Sequence, residues 1–541
     1  LALVAVAAVG VVVVSGGSDA DPRTPVGLAG LPPPFLGTAV AGAGELTAAV
    51  DSYGDVVDLR PSPAGRALID NPWARQSAGT VPADTGIVPR ISVDSGPALP
   101  LWRADSVSQQ YLPGTNVVRT VARFGPKQTT VTVAARKESL AVVITALGGG
   151  VPEVSVTVED DLRCARERRA GQLNLLCRVG RAVPPVLGAA AGKVRRKSRH
   201  VIQPAAAATR GWLSQARPLG PGAPPWARRL YERSLLTLRA LTDRRTGAVA
   251  AGARDGWAYV WPRDAATAAL ALQAAGFESE ARQVVRFLAG LDLSTAARFD
   301  GQGEPVPGRG PQGDAPGWIA VAAREVGAPV SEKGLRRQTA ASGKRPDYQE
   351  GAGGEYLGNM IAATATKAAV QLPAGLGVRG EADAQTVHAE FYTPGGLVRK
   401  AHDPASGLDS AAAWAVWPFK LPSLYPLVNR TLLALSAEQT RFGITPGSGW
   451  TGGVDPWSAP TAWAAGSFAA LAASAASTAA AHTDRRQALR LLADLRRAAT
   501  PAGALPERVD AETGVPRSTT PLAWSHAFVI LALRRLWATT S

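Results

Sequence analysis

The stretch Asp255-Gly256-Trp257-Ala258-Tyr259-Val260-Trp261-Pro262-Arg263-Asp264 runs straight into an alanine-rich segment with the texture of a helix. It sets two aromatic rings, Tyr259 and Trp261, beside a fixed cation and a fixed anion, Arg263 and Asp264. A sugar needs that mixture: a flat apolar face to lie on and charged groups to grip its hydroxyls. An Arg-Asp pair at a helix start is also an ordinary capping or ion-pair feature, so the rest of the chain has to decide between the two.

Downstream the pattern stays helical. Candidate helices between Gly/Pro loops are 226–242, 263–276, 278–291, 317–326, 355–371, 381–392, 410–419, 424–439, 460–481, 484–498 and 521–537. No strand run long enough for a βαβ unit intervenes. Upstream, from 35 to 181, the texture is β. Short β-branched runs at 45–50, 56–59, 117–124, 129–134, 140–146, 154–158 and 173–179 alternate with turn signals, and Asp51-Ser52-Tyr53-Gly54 reads as a hairpin turn. Regular short strands of this kind imply an antiparallel β-sandwich. Residues 182–225 are rich in Pro, Gly and Ala, with the basic cluster Lys193-Val194-Arg195-Arg196-Lys197, and read as a solvated linker with a short connecting helix.

The first residues, Leu1 to Val14, are apolar or Gly without interruption, and a polar, Pro-rich linker follows at 19–34. Fourteen residues are short against the about 20 a spanning helix needs, and they suit a signal peptide or a membrane anchor over 1–18. The expected location is therefore extracellular or in the cell envelope. The 541 residues with 46% hydrophobic content can build a large core in two or three domains. The formal charge of +15 is compatible with an acidic partner, but the basic residues are scattered among acidic ones and no nucleic-acid motif is present. Joint enrichment in Ala, Gly, Pro and Arg fits a GC-rich coding sequence, so no nucleic-acid partner is expected. Cys164 and Cys177 are too few for a disulfide scaffold or a metal site. They either pair across neighbouring strands or are two small core residues.

Four segments carry a resemblance to a known family. Trp261-Pro262-Arg263-Asp264 resembles the Trp-x-Arg-Asp segment of the glucoamylases, the inverting family 15 glycoside hydrolases. Gly308-Arg309-Gly310-Pro311-Gln312-Gly313-Asp314 is similar to their Gly-Arg-Pro-Gln-x-Asp-Gly segment. Thr440-Arg441-Phe442-Gly443, followed by Gly453-Val454-Asp455-Pro456-Trp457, looks like Arg-Tyr-Pro followed by Gly-Asn-Pro-Trp. The most specific match is Leu505-Pro506-Glu507, followed by Pro521-Leu522-Ala523-Trp524-Ser525-His526. The resemblance implies an (α/α)6 barrel over 226–541, preceded by the β-sandwich over 35–181. It also implies release of glucose from non-reducing ends of α-glucosides or α-glucans, with trehalose or dextran as alternative substrates.

By the same resemblance Glu507 is the general base, and Tyr259, Trp261, Arg263, Asp264, Arg441 and Trp524 bind substrate. His526 reads as a structural helix residue, and Asp409 as a cap or a sugar contact. The general acid falls on Glu350 in Asp347-Tyr348-Gln349-Glu350-Gly351, where the family usually has Trp at 349 and fungal members a second Glu at 351. Glu355 competes for the role. Inverting chemistry needs the two carboxyls about 6.5–9.5 Å apart, with a water between. It requires no metal or organic cofactor. The implied partner is an oligo- or polysaccharide, with the protein acting as a monomer. A non-catalytic carbohydrate-binding envelope protein on the same barrel is the competing class.

Overall fold

The computed structural model describes residues 38–70, 86–93, 96–158, 161–180, 193–330, 344–351, 353–369 and 376–538. The apolar run 1–14 and the linker 19–34 lie outside them. No helix among the described residues is long and apolar enough to cross a membrane.

The N-terminal part is two antiparallel sheets. One has the order β1 (Thr38–Ala41), β2 (Thr47–Asp51), β3 (Val56–Arg60), β5 (Gly86–Ser92), β11 (Val151–Thr157). β4 (Ile69–Asp70) pairs with β3 and β6 (Ala98–Pro100) with β5. The other sheet runs β12 (Leu162–Arg169), β13 (Gln172–Val179), β10 (Ser139–Leu147), β9 (Lys127–Arg136), β8 (Val118–Phe124), β7 (Ser106–Tyr111). Val50, Leu59, Ile87, Ile91, Val131, Val142 and Ile144 are buried in the core they share. At the β2–β3 turn the Asp51 carboxylate accepts the N–H groups of Tyr53 and Asp55, both at 2.9 Å, and Gly54 takes a positive φ of 91°. Cys164 and Cys177 face each other in the β12–β13 register and form a disulfide.

The stretch expected as a linker carries more than a short helix. Residues Lys193–Leu213 form a 21-residue helix, α1. Its buried positions Val194, Ser198, Val201, Ala205, Thr209 and Trp212 recur at helical spacing. Val194, Val201, Ala205 and Ala206 cover the second face of the six-stranded sheet at Ala134, Ala141 and Leu176. That sheet is thus apolar on both faces, with the other sheet on one and a helix on the other.

The C-terminal part is a closed double ring of helices. Its inner elements are α3 (Pro262–Ala274), α5 (Ala315–Val326), α6 (Leu357–Ala369), a 3-10 segment (Ser410–Ala415), α9 (Ser458–Ser474) and α11 (Ala523–Leu536). Each packs on the next, and α11 returns to α3. Around them lie α2 (Pro225–Leu241), α4 (Glu278–Ala289), α7 (Leu376–Phe391), α8 (Tyr425–Ala437) and α10 (Thr478–Ala498), the outer helices among the described residues. Sequence decides which ring a helix joins. Inner α9, SAPTAWAAGSFAALAAS, is apolar or small all round and buried along most of its length. Outer α4 buries only Ala281, Val284, Val285 and Leu288, one stripe at i, i+3, i+4, i+7.

A small antiparallel sheet, β14 (Tyr392–Thr393), β15 (Gly396–Lys400) and β16 (Asp403–Leu408), follows α7 and was not anticipated. The ring is plugged by aromatics in edge-to-face and tilted contact. Trp414 lies 5.2 Å from Trp318 and 5.5 Å from Trp463, and Trp463 lies 4.8 Å from Trp524.

Candidate active site

The inner elements start on one side of the ring, and the residues just before or at their first turns meet in a cleft of about 240 Å³. Trp257, Trp261, Arg263 and Asp264 come from the approach to α3, and Arg309 and Gln312 from the loop before α5. Tyr348, Gln349 and Glu350 come from the loop before α6, and Trp450 and Trp457 from the loop before α9. Glu507, Arg508, Leu522 and Trp524 come from the approach to α11.

Arg263 and Asp264 form the buried floor. The Arg263 guanidinium donates to Gln312 Oε1 at 2.9 Å and to Asp314 Oδ2 at 3.0 Å, and it stands 4.4 Å over the Trp524 ring. Burial works against its charge, but Asp314 and Asp264 outweigh burial and its pKa is raised. Burial pushes the Asp264 carboxyl up to about 7, with Arg263 opposing and the like charges of Asp314 and Glu507 adding. Trp457 Nε1 and Trp524 Nε1 have no hydrogen-bond partner among the described residues, and Asp264 Oδ2 has only the ion pair with Arg263, at 3.6 Å.

Glu507 is fixed from several sides. Its N–H donates to Thr519 O at 2.9 Å, and its own C=O accepts the Ser458 N–H at the start of α9, also at 2.9 Å. The adjoining Leu505 N–H donates to His526 Nε2 at 3.0 Å, and His526 Nδ1 meets Ser234 Oγ at 2.9 Å. His526 is therefore a buried structural residue, its pKa lowered to about 3 by burial and then by Arg233. The Glu507 carboxylate accepts from Ser518 Oγ on one oxygen and from Trp257 Nε1 at 3.3 Å on the other. Burial raises its pKa, and the Ser518 and Trp257 donors pull it back down.

Glu350 sits across the turn that Asp347 builds. Asp347 Oδ1 accepts the N–H groups of Gln349 at 3.2 Å and Gly351 at 2.9 Å, and Arg399 holds the carboxylate at 2.8 Å on each oxygen. Glu350 takes a positive φ of 59°, a sparsely populated region for a residue with a Cβ. Its carboxylate forms an ion pair with Arg309. The departures from the family pattern now have physical accounts. A Cβ at Gly351 would meet Arg399 Nη2 at 2.4 Å and the Tyr356 hydroxyl at 2.8 Å, so a second Glu there would have to push Arg399 off Asp347. Gln349 donates to the Tyr348 hydroxyl at 2.9 Å, a polar link a Trp cannot make in that form.

Of the residues named from sequence, Trp261, Arg263, Asp264, Glu350, Glu507 and Trp524 line the cleft. Tyr259 does not: the Arg298 guanidinium covers its ring at 5.0 Å. Arg441 does not either. It is exposed, donates to Glu512 O at 2.9 Å and stacks on Phe442, tying two surface loops together. Glu355 is absent from the lining, and its C=O accepts the Ala401 N–H. Asp409 is the cap of the 3-10 segment, accepting from Ala411 N and from the Tyr348 hydroxyl at 2.7 Å. Sequence reasoning missed Trp257, Trp450, Trp457 and Arg508 as contacts. The usable signal was position for Trp457, just before an inner helix, and for Arg508, beside a residue already chosen.

Residues 225–297 match the model of the glycosyl hydrolases family 15. The whole fold is similar to that of a bacterial glucoamylase crystallised with acarbose, at 12% identity and a TM-score of 0.68, over 93% of this chain and 95% of that one. The glucoamylase of Saccharomycopsis fibuligera matches at 15% identity and a TM-score of 0.48, over 57% of this chain and 94% of that one. No curated protein matches the chain. The segment that supplies the Trp257-to-Asp264 wall of the cleft matches the family 15 model, and the fold of the chain is similar to that of a bacterial glucoamylase.

Proposed function

We propose that this protein is an exo-acting, inverting glycoside hydrolase that releases glucose from the non-reducing ends of α-glucosides. The observation that carries the reading is that Glu350 and Glu507, from segments far apart in sequence, line one cleft whose floor is aromatic and charged. Glu507 suits the base. Two donors stabilise its carboxylate, which accepts a proton from the attacking water. Glu350 delivers a proton to the leaving oxygen, so water displaces the leaving group directly and the anomeric configuration inverts. A floor closed by Arg263, Asp264 and Trp524 admits a chain end rather than a chain middle. Arg263 and Asp264 grip the terminal sugar's hydroxyls, and Trp261 and Trp524 offer apolar faces.

One observation favours a binding-only alternative: Glu350 is engaged by Arg309. Glucose release from maltose, isomaltose, trehalose and dextran separates the two readings and assigns the linkage. Binding without release from any of them supports the alternative. We also propose export. The apolar run Leu1 to Val14 motivates it, and the Cys164–Cys177 disulfide suits an oxidising compartment.

A further inference from the structure

Arg309 lies in the Gly/Pro-rich loop before α5, and its C=O accepts the Ala297 N–H at 3.2 Å. Its guanidinium reaches into the cleft and pairs with Glu350, with the two side chains 36% and 48% exposed. This is not where spare cations of the site go. Arg263 is taken up by Gln312, Asp314 and Asp264. Arg298 bonds Gly256 O and Pro307 O, both at 3.1 Å, and covers Tyr259 and Trp261. Arg508, next to Glu507 in the chain, also lines the cleft; of these four cations Arg309 is the one paired with the proposed acid.

The pairing sets two demands on Glu350 in conflict. A general acid must carry a proton at the moment the bond breaks. A guanidinium in contact favours the ionised carboxylate. Protonating Glu350 would also take from Arg309 its paired anion and leave only Glu507 to offset burial and the nearby Arg298, which work against its charge. Both demands are met when a second carboxylate takes Arg309 over. That carboxylate must come from the leaving side of the substrate, because the acid stands beside the leaving oxygen and Arg309 stands beside the acid. Arg309 already holds one carboxylate, and the planar guanidinium accepts another in kind.

We infer that the cleft selects α-glucosides whose leaving-side residue carries a carboxylate, and that Arg309 is the specificity-determining residue that binds it. This rests on the proposed hydrolase reading. On binding, the substrate carboxylate displaces Glu350 from Arg309, and Glu350 takes a proton from solvent. That proton passes to the glycosidic oxygen as the C1–O bond breaks and the leaving group keeps the electron pair. Water adds to C1 and gives its proton to Glu507. Glu350 is left ionised and re-pairs with Arg309 as the product departs.

The test uses two substrates that share the α-1,4-glucosyl bond and an open-chain leaving group: maltobionate, which has a carboxylate, and maltitol, which has a hydroxymethyl group in its place. Binding is measured by calorimetry to Glu507→Gln, and turnover by glucose release from the unaltered protein. Maltobionate is expected to bind about tenfold more tightly than maltitol, as one charge-assisted pair supplies. Arg309→Gln should bring that ratio to about one, and Arg309→Lys, which keeps the charge but loses the fork, should retain part of it. The alkaline limb of kcat, which reports the acid in the substrate complex, should lie at higher pH for maltobionate than for maltitol. Equal or weaker binding of maltobionate overturns the inference, whatever the turnover. A binding preference without glucose release from either substrate upholds the anion site and overturns the hydrolase reading.

Discussion

The indole Nε1 of Trp257 donates to Oε1 of Glu507 at 3.3 Å, joining residues 250 apart in sequence. The contact follows from closure of the inner ring. α3 and α11 pack side by side, and the Ala523 N–H donates to Ala251 O at 2.7 Å. The first and last inner helices thus bring an aromatic donor and the proposed base to one point.

Glu507→Gln keeps the size of the side chain and an oxygen for the Ser518 or Trp257 donor, and it removes the basic oxygen. Turnover of maltose should fall by about 10²–10⁴-fold, the usual worth of a general base. Maltose binding and thermal unfolding should stay close to those of the unaltered protein. Steady-state kinetics and calorimetry check this, and a retained kcat contradicts it.

Ser518→Ala removes the hydroxyl that donates to the Glu507 carboxylate. That hydrogen bond favours the ionised form and lowers the Glu507 pKa against the burial that raises it. The acid limb of kcat/KM reports the base of the free enzyme, which must be ionised to work. The limb should therefore lie above the ordinary glutamate range in the unaltered protein and move to still higher pH in Ser518→Ala. A limb that moves down or stays put contradicts Glu507 as the titrating base.

Glu350→Gln should depress cleavage of maltose, which has a poor leaving group, by about 10²–10⁴-fold. Glucosyl fluoride, whose leaving group needs little protonation, should be spared in large part. Glu355→Gln, outside the cleft lining, should leave both rates unchanged. The reverse pattern would move the acid to Glu355.

How much of this was open to sequence reading depended on where each signal lived. The Ala-rich inner helices and the striped outer ones were legible because burial all round and burial on one side leave different patterns. The segment read as a helix over 410–419 is shorter, a 3-10 turn over Ser410–Ala415, and Pro418 has no N–H with which to continue it. β7, SVSQQY, and β12, LRCARERR, are the two edges of their sheet, and their polar character hid them. Ser198, Thr209 and Pro204 broke up the apolar spacing of α1, which became readable only against the sheet it covers. Within the site, Trp261, Arg263, Asp264 and Trp524 were legible because each sits at an inner-helix start, where local motif and spatial position coincide, and Glu507 because of the Leu505-Pro506-Glu507 motif in the loop before α11. Arg441 and Tyr259 sat in matching motifs, but loop packing against Glu512 and cover by Arg298 turned them to other work.

His526→Ala leaves the buried Leu505 N–H without its acceptor and opens a cavity beside the Glu507 loop, so a loss of about 2–4 kcal/mol is expected at pH 7. The folded His526 pKa is lowered from 6.5 to about 3, so the unfolded chain binds the proton more readily. Its contribution is present above pH 6.5 and is lost as pH falls toward 3, by up to about 1.4 kcal/mol per pH unit. Buried Asp51, Asp264 and Asp409, each raised to about 7, act with the opposite sign over part of that range. The difference between the unaltered protein and His526→Ala isolates the histidine. Denaturant unfolding at pH 7 and pH 4.5 should show that difference shrinking, and a constant difference would contradict the assignment.

The most direct test of the central claim is proton NMR of the first glucose formed from an α-glucoside, before mutarotation mixes the anomers. Direct attack of water activated by Glu507, with Glu350 protonating the leaving oxygen, yields β-glucose as the initial product. Initial appearance of α-glucose would require a covalent intermediate and contradict this pairing of residues and roles.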